Sequence, residues 1–151
     1  MGIAITLHML AAVIWVGGMF FAYMVLRPAA LELEAPQRLV LWSRTFSNFF
    51  PWVWGAVVVL PATGYWMITN VFGGFSQIGV YVHVMQAIGI VMILIFLHLY
   101  FAPYRRLRRA VAASDFATAG KQLTQIRMMV AVNLTLGLVT VIVAAAGAYW
   151  P

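Results

Sequence analysis

The nine lysine and arginine residues of this chain all lie in two of the segments that separate its long apolar runs. Four runs have the roughly 20 apolar residues that a helix needs to cross the hydrocarbon core of a bilayer. They span residues 3–26, 49–68, 80–102 and 128–149. The sequence therefore predicts an all-α protein, an integral membrane four-helix bundle in which residues 1–151 form a single transmembrane domain.

The positions of the basic residues also predict how the bundle is oriented. Three follow the first run and six follow the third, namely Arg27, Arg38, Arg44, Arg105, Arg106, Arg108, Arg109, Lys121 and Arg127. Short segments that are rich in lysine and arginine remain in the cytoplasm. We therefore expect a bacterial inner membrane protein with cytoplasmic basic loops and both termini outside. The basic loops would contact anionic lipid head groups.

Composition and missing motifs exclude several classes of function. Charged residues make up 8% of the chain, whereas about a quarter of a soluble domain is charged. Because the net charge of +6 is confined to two loops, it does not indicate nucleic-acid binding. Cysteine is absent, which excludes disulfides and thiolate metal sites. The chain has no Gly-x-Ser-x-Gly motif and no glycine-rich phosphate loop, so hydrolysis and nucleotide chemistry are disfavoured.

The ends of the runs predict where the helices begin and stop. The first run stops at Pro28, which cannot continue an unkinked helix. Segments 27–48 and 103–127 are then basic loops. Within the second of them, Ser114-Asp115 is a suitable N-cap for an amphipathic helix, which is either interfacial or leads into the fourth run.

Two of the three histidines are expected at the same depth in the membrane. At 1.5 Å per residue, His8 lies about 7.5 Å along the first helix and His83 about 5 Å along the third. Both helices start outside, so both imidazoles come near the outer face. His98 follows His83 by about 22 Å of helix and comes near the cytoplasmic face.

A histidine within a membrane-spanning helix usually faces the bundle interior and has a partner or a function. A hydrogen bond to a backbone carbonyl on a neighbouring helix accounts for a single one. Two at matched depth indicate a ligand pair, because neutral imidazole binds metals and is an axial ligand of haem. Our first hypothesis is that His8 and His83 bind one haem b, in a protein of electron transfer or membrane oxidoreduction. Trp15 would line the haem pocket.

Other functions fit the same residues. Met9 adjoins His8 and Met85 follows His83 by two residues, and thioether with imidazole suits Cu(I), so copper is the alternative metal. The third hypothesis is a non-catalytic membrane subunit whose histidines are structural. His98 is a further candidate cofactor-binding residue. The expected partners are membrane lipids, a redox partner such as a quinone or another membrane protein, and a second copy of the chain in a homodimer.

Two parts of the chain resemble known membrane families. The run from Leu7 reads LHMLAAVIWVGGMFFAYMVLRP, and a later RTFS begins at Arg44. They resemble the first and second helices of the CopD family of small integral membrane proteins. His83, His98 and the basic stretch that follows are similar to the third helix of HemJ-type protoporphyrinogen oxidases, which are four-helix haem b proteins. The resemblance implies a haem-dependent membrane oxidoreductase or a copper-handling protein, with His8 and His83 as ligands.

Overall fold

The computed structural model describes residues 1–147 and 149. Across these residues the chain forms four long helices and no β-strand. The helices are α1 Gly2–Ala30, α2 Ala35–Asn70, α3 Val80–Ala112 and α4 Phe116–Gly147. Each is long and apolar enough to cross a membrane. The predicted all-α four-helix membrane bundle is therefore confirmed, while Ala148, near the end of the predicted fourth run, lies outside the described residues.

The helices extend beyond the predicted runs at the basic end of the bundle. Both α2 and α4 begin, and α3 ends, well inside the segments that were expected as loops, 27–48 and 103–127. Residues 31–34 and 113–115 make the connections there. The prediction of loops was therefore wrong for most of segment 27–48 and for residues 103–112, whereas the helix predicted after Ser114-Asp115 is present and leads into the fourth run. Apolarity marks only the part of a helix that lies in the bilayer, whereas alanine, arginine, glutamine and leucine favour helix beyond it as well.

Wide turns accommodate two prolines at the basic end. In α1 a π-helical turn, Phe21–Leu26, precedes Pro28, and α1 continues to Ala30. In α3 the π-helical turn Tyr100–Tyr104 contains Pro103. Proline lacks an N–H and its ring clashes with the preceding turn, so a wider turn lets the helix continue. The prediction that the first helix stops at Pro28 was therefore wrong.

A compact turn at residues 113–115 joins α3 to α4. Ser114 has a left-handed backbone with φ 56°, and the Asp115 N–H donates to the carbonyl of Ala110 at 2.9 Å, which caps α3. The Asp115 carboxylate accepts the backbone N–H of Thr118 at 3.0 Å. Hydrogen bonds from the Thr118 hydroxyl and N–H hold the pKa of Asp115 below its ordinary value. The predicted N-cap is confirmed, with Asp115 as the capping residue.

The four helices pack as two pairs that aromatic rings join. Helix α1 lies along α2, and α3 lies along α4. Phe50 of α2 stacks on Phe46 with 5.2 Å between ring centroids, and it meets Tyr104 and Phe96 of α3 edge-on at 4.7 and 5.5 Å. Trp15 of α1 also meets Phe96 edge-on, at 6.2 Å. Edge-to-face and offset arrangements of this kind are favourable between aromatic rings, so they hold the two pairs together.

Glycines allow close approach between helices. A Cβ atom on Gly18 of α1 would overlap the ring of Phe49 of α2. On Gly137 of α4, a Cβ atom would lie 2.9 Å from Cγ2 of Val16 of α1. Lipid gives no hydrophobic drive for helix association. Close van der Waals packing through small residues therefore contributes to holding membrane helices together.

We expect Gly18→Ala to lower the free energy of unfolding by about 1–3 kcal/mol, because the added methyl group displaces the Phe49 ring. Gly17→Ala is the matched control. It adds the same methyl group one residue away, where a Cβ atom meets nothing within 4 Å. Unfolding by sodium dodecyl sulfate, followed by circular dichroism, measures both variants. Equal stabilities of the two would contradict the close contact at Gly18.

Candidate functional site

His8 lies half-buried where α1 packs against α2. Its Nδ1 is 2.8 Å from the hydroxyl oxygen of Thr63, a residue of α2. The ring also lies beside Gly64, where a Cβ atom would be 3.5 Å from His8 Cε1. The edge of the imidazole that carries Nδ1 therefore faces α2, and the ring is held there by hydrogen bonds to the Thr63 hydroxyl and to the backbone carbonyl of Leu60.

The hydrogen bonds of Thr63 determine which nitrogen of His8 carries the proton. The Thr63 hydroxyl lies 2.6 Å from the carbonyl of Val59 and 3.2 Å from that of Leu60, neither of which can donate. Its one hydrogen points to these carbonyls, so Nδ1 of His8 must be the donor to Thr63. A neutral imidazole then has an unprotonated Nε2. Metal-binding histidines typically have this arrangement, with one nitrogen held by a partner and the other free.

Sequence reasoning did not include Thr63 or Met67 among the site residues. Met67 follows Thr63 by four residues, so it lies one turn away on the same face of α2. Its side chain is buried. In the second run Thr63 and Met67 are four residues apart, and this spacing was the available signal. The sequence does not give the rotation of α2 relative to His8, so it could not show that these two side chains lie near the histidine.

The other two histidines are placed differently. His83 and His98 are both exposed on α3, the helix that packs along α4. Neither forms a hydrogen bond within the described part of the chain. Nor do residues 1–147 and 149 contain a group of three or more His, Cys, Asp or Glu side chains that could hold a metal ion. The His8–His83 pair, and the haem that depended on it, therefore stay predictions.

Trp15 is buried and lines an internal cavity of about 150 Å³. On α1 the cavity extends from Trp15 to Leu26, in the basic half of the bundle, and His8 is not among its lining residues. Asn133 of α4 lines it too, and its side-chain N–H donates to the carbonyl of Met92 at 3.3 Å. A cavity of about 150 Å³ holds a single benzene ring, so it does not accommodate a porphyrin.

We expect Thr63→Val to lower the free energy of unfolding by about 0.6–1.7 kcal/mol, because side-chain hydrogen bonds between membrane helices contribute about 0.6 kcal/mol on average and about 1.7 kcal/mol at most. The change removes the acceptor of His8 Nδ1 and almost conserves shape. Thr45→Val is the matched control, because the Thr45 hydroxyl donates only to Leu41 in its own helix. The same detergent unfolding assay applies. A larger loss in Thr45→Val than in Thr63→Val would argue against the bond between α1 and α2.

Comparison with known proteins gives one family. The model of the family CopD, described as copper resistance protein D, matches residues 43–147. No match was found among curated proteins or among solved structures. The matched residues cover most of the chain, and they include α2 from its third turn, the whole of α3 and the whole of α4. The similarity of the third helix to HemJ-type proteins stays a prediction. The predicted resemblance to CopD is confirmed over residues 43–147, and the chain belongs to the copper resistance protein D family of membrane proteins.

Proposed function

We propose that the protein is a copper-handling membrane protein that binds Cu(I) as cargo between α1 and α2, with His8 Nε2 as one ligand. The observation that carries this proposal is the unprotonated Nε2 of His8 in a chain of the copper resistance protein D family. A protonated Nε2 could not bind a metal, whereas the bond to Thr63 leaves the lone pair available.

The chemistry of the neighbouring side chains supports copper in its reduced state. Thioether and imidazole ligands suit Cu(I), which is a soft ion. Met67 is the thioether that shares a face of α2 with Thr63, so we propose it as the second ligand. Met9, the methionine adjacent to His8, is 55% exposed and lies about 100° further round α1. Imidazole and thioether are both uncharged, so the bound site would keep the single charge of the ion.

The test is a titration of the detergent-purified protein with Cu(I), without oxygen, against a chromophoric chelator. Thr63→Val should weaken binding about 10–100-fold, because loss of a partner that orients a metal-binding histidine has effects of this size. His8→Ala should weaken it at least as much, because the ligand itself is lost. Met67→Leu removes the thioether and should also weaken binding.

Three matched controls define the result. Met24→Leu replaces an exposed methionine at the basic end of α1, and His83→Ala and His98→Ala each remove an exposed imidazole. All three should bind Cu(I) like the wild type. Unchanged binding by His8→Ala would reject the proposal. An equal loss in His83→Ala would favour the His8–His83 pair, and a Soret band in the purified protein would favour haem.

We further propose that the protein lies in the bacterial inner membrane with the basic end of the bundle in the cytoplasm, as the positive-inside rule implies. The His8 site would then be nearer the outer face. Reporter fusions test the orientation. A fusion at Phe75, between α2 and α3, should be periplasmic, and a fusion at Ala113, between α3 and α4, should be cytoplasmic. The opposite signals would place the basic end outside.

A further inference from the structure

A polar side chain lies deep in the apolar interior of the bundle. Asn133 of α4 is 3% exposed, and it lines the internal cavity of about 150 Å³. Its Nδ2 donates to the carbonyl of Met92 on α3 at 3.3 Å. Within residues 1–147 and 149, its Oδ1 has no hydrogen-bond partner. Burial of an amide oxygen without a partner is unfavourable, so a ligand that donates a hydrogen bond to Asn133 would remove this cost.

A second polar group of the cavity lining can also only accept. Thr45 of α2 lines the cavity, and its hydroxyl donates to the carbonyl of Leu41 at 2.9 Å. This bond uses its one hydrogen, so the lone pairs of its oxygen remain. Among the described residues of the lining none is charged, and a charged ligand would lose its hydration without gaining a partner. The cavity therefore matches an uncharged ligand that carries a hydrogen-bond donor.

The rest of the lining determines the shape and size of such a ligand. Six aromatic side chains line the cavity, namely Trp15, Phe21, Phe46, Phe49, Phe50 and Phe96. Aromatic rings meet favourably edge-on or offset, and a cavity of about 150 Å³ holds one benzene ring. The side chain of Phe21 is also 55% exposed on the surface of α1, so movement of this ring would open the cavity to the surrounding lipid.

We propose that the internal cavity binds a small phenol, whose ring packs among the aromatic side chains and whose hydroxyl donates to Oδ1 of Asn133. A phenol is uncharged at neutral pH, because the pKa of a phenolic hydroxyl is about 10. His8 is not among the lining residues. The phenol site is therefore separate from the proposed copper site and does not depend on it.

The experiment is a fluorine NMR titration of the detergent-purified full chain with meta-fluorophenol and with meta-fluorotoluene, which has a methyl group in place of the hydroxyl. Protein-free micelles give the background for each probe. Both probes should bind the wild type saturably. Asn133→Leu should weaken binding of fluorophenol about 2–10-fold, the factor that a neutral hydrogen bond contributes. It should not weaken binding of fluorotoluene, because leucine and asparagine have similar shapes.

The matched control is Asn70→Leu. Asn70 is exposed at the end of α2, and its Nδ2 also donates to a backbone carbonyl, that of Trp66 at 3.0 Å. This variant should bind both probes like the wild type. Unchanged fluorophenol binding by Asn133→Leu would overturn the proposal. An equal loss for both probes, or no saturable binding by the wild type, would overturn it too.

If Asn133→Leu fails to fold by circular dichroism, Ala22→Leu decides the question. Ala22 is a half-buried residue of the cavity lining, and a leucine there takes up part of the volume without changing a polar group. The variant should weaken binding of both probes. Full retention of fluorophenol binding by Ala22→Leu would place the phenol outside the cavity and reject the site.

Discussion

The aromatic contacts of Phe50 determine how the two helix pairs are arranged. On α2 its ring lies between Phe46 on the same helix and Phe96, Tyr100 and Tyr104 on α3. Rings of this size keep α2 and α3 apart, whereas the small residues elsewhere allow α1 to approach α2 and α4. The bundle is therefore closely packed within each pair and where α4 meets α1 at Gly137, and it is more open between α2 and α3. The internal cavity lies in that opening.

The two ends of the bundle differ in chemistry as a result. At the uncharged end, His8 and Thr63 form a polar contact within a tightly packed pair, and the imidazole is held in one orientation. At the basic end, Arg27 of α1 and Arg127 of α4 line a small cleft, and Ala22, Phe46 and Val130 line both this cleft and the internal cavity. A metal ligand needs fixed geometry, which the contact between His8 and Thr63 provides at the uncharged end.

The length of an apolar run specifies a membrane helix directly, so the sequence was sufficient for the number of helices and for the class of fold. The surroundings of the histidines were not predictable in the same way. Depth follows from the rise per residue, but the direction in which a side chain points depends on the rotation of each helix, which packing decides. His8 faces α2, whereas His83 is exposed on α3, although the two were expected at equal depth. The expected homodimer stays a prediction. The imidazoles of His83 and His98 are both exposed on α3.

The π-helical turn Phe21–Leu26 directly precedes Arg27. A π-helical turn contains one residue more than the α-helical turn that it replaces. Each residue of an α-helix advances the direction of its side chain by about 100°. The extra residue thus decides whether Arg27 points towards Arg127 or away from it. In an alignment of relatives, a one-residue gap at this turn would distinguish the family members in which the arginine is turned away from those in which it lines the same cleft as the residue at position 127.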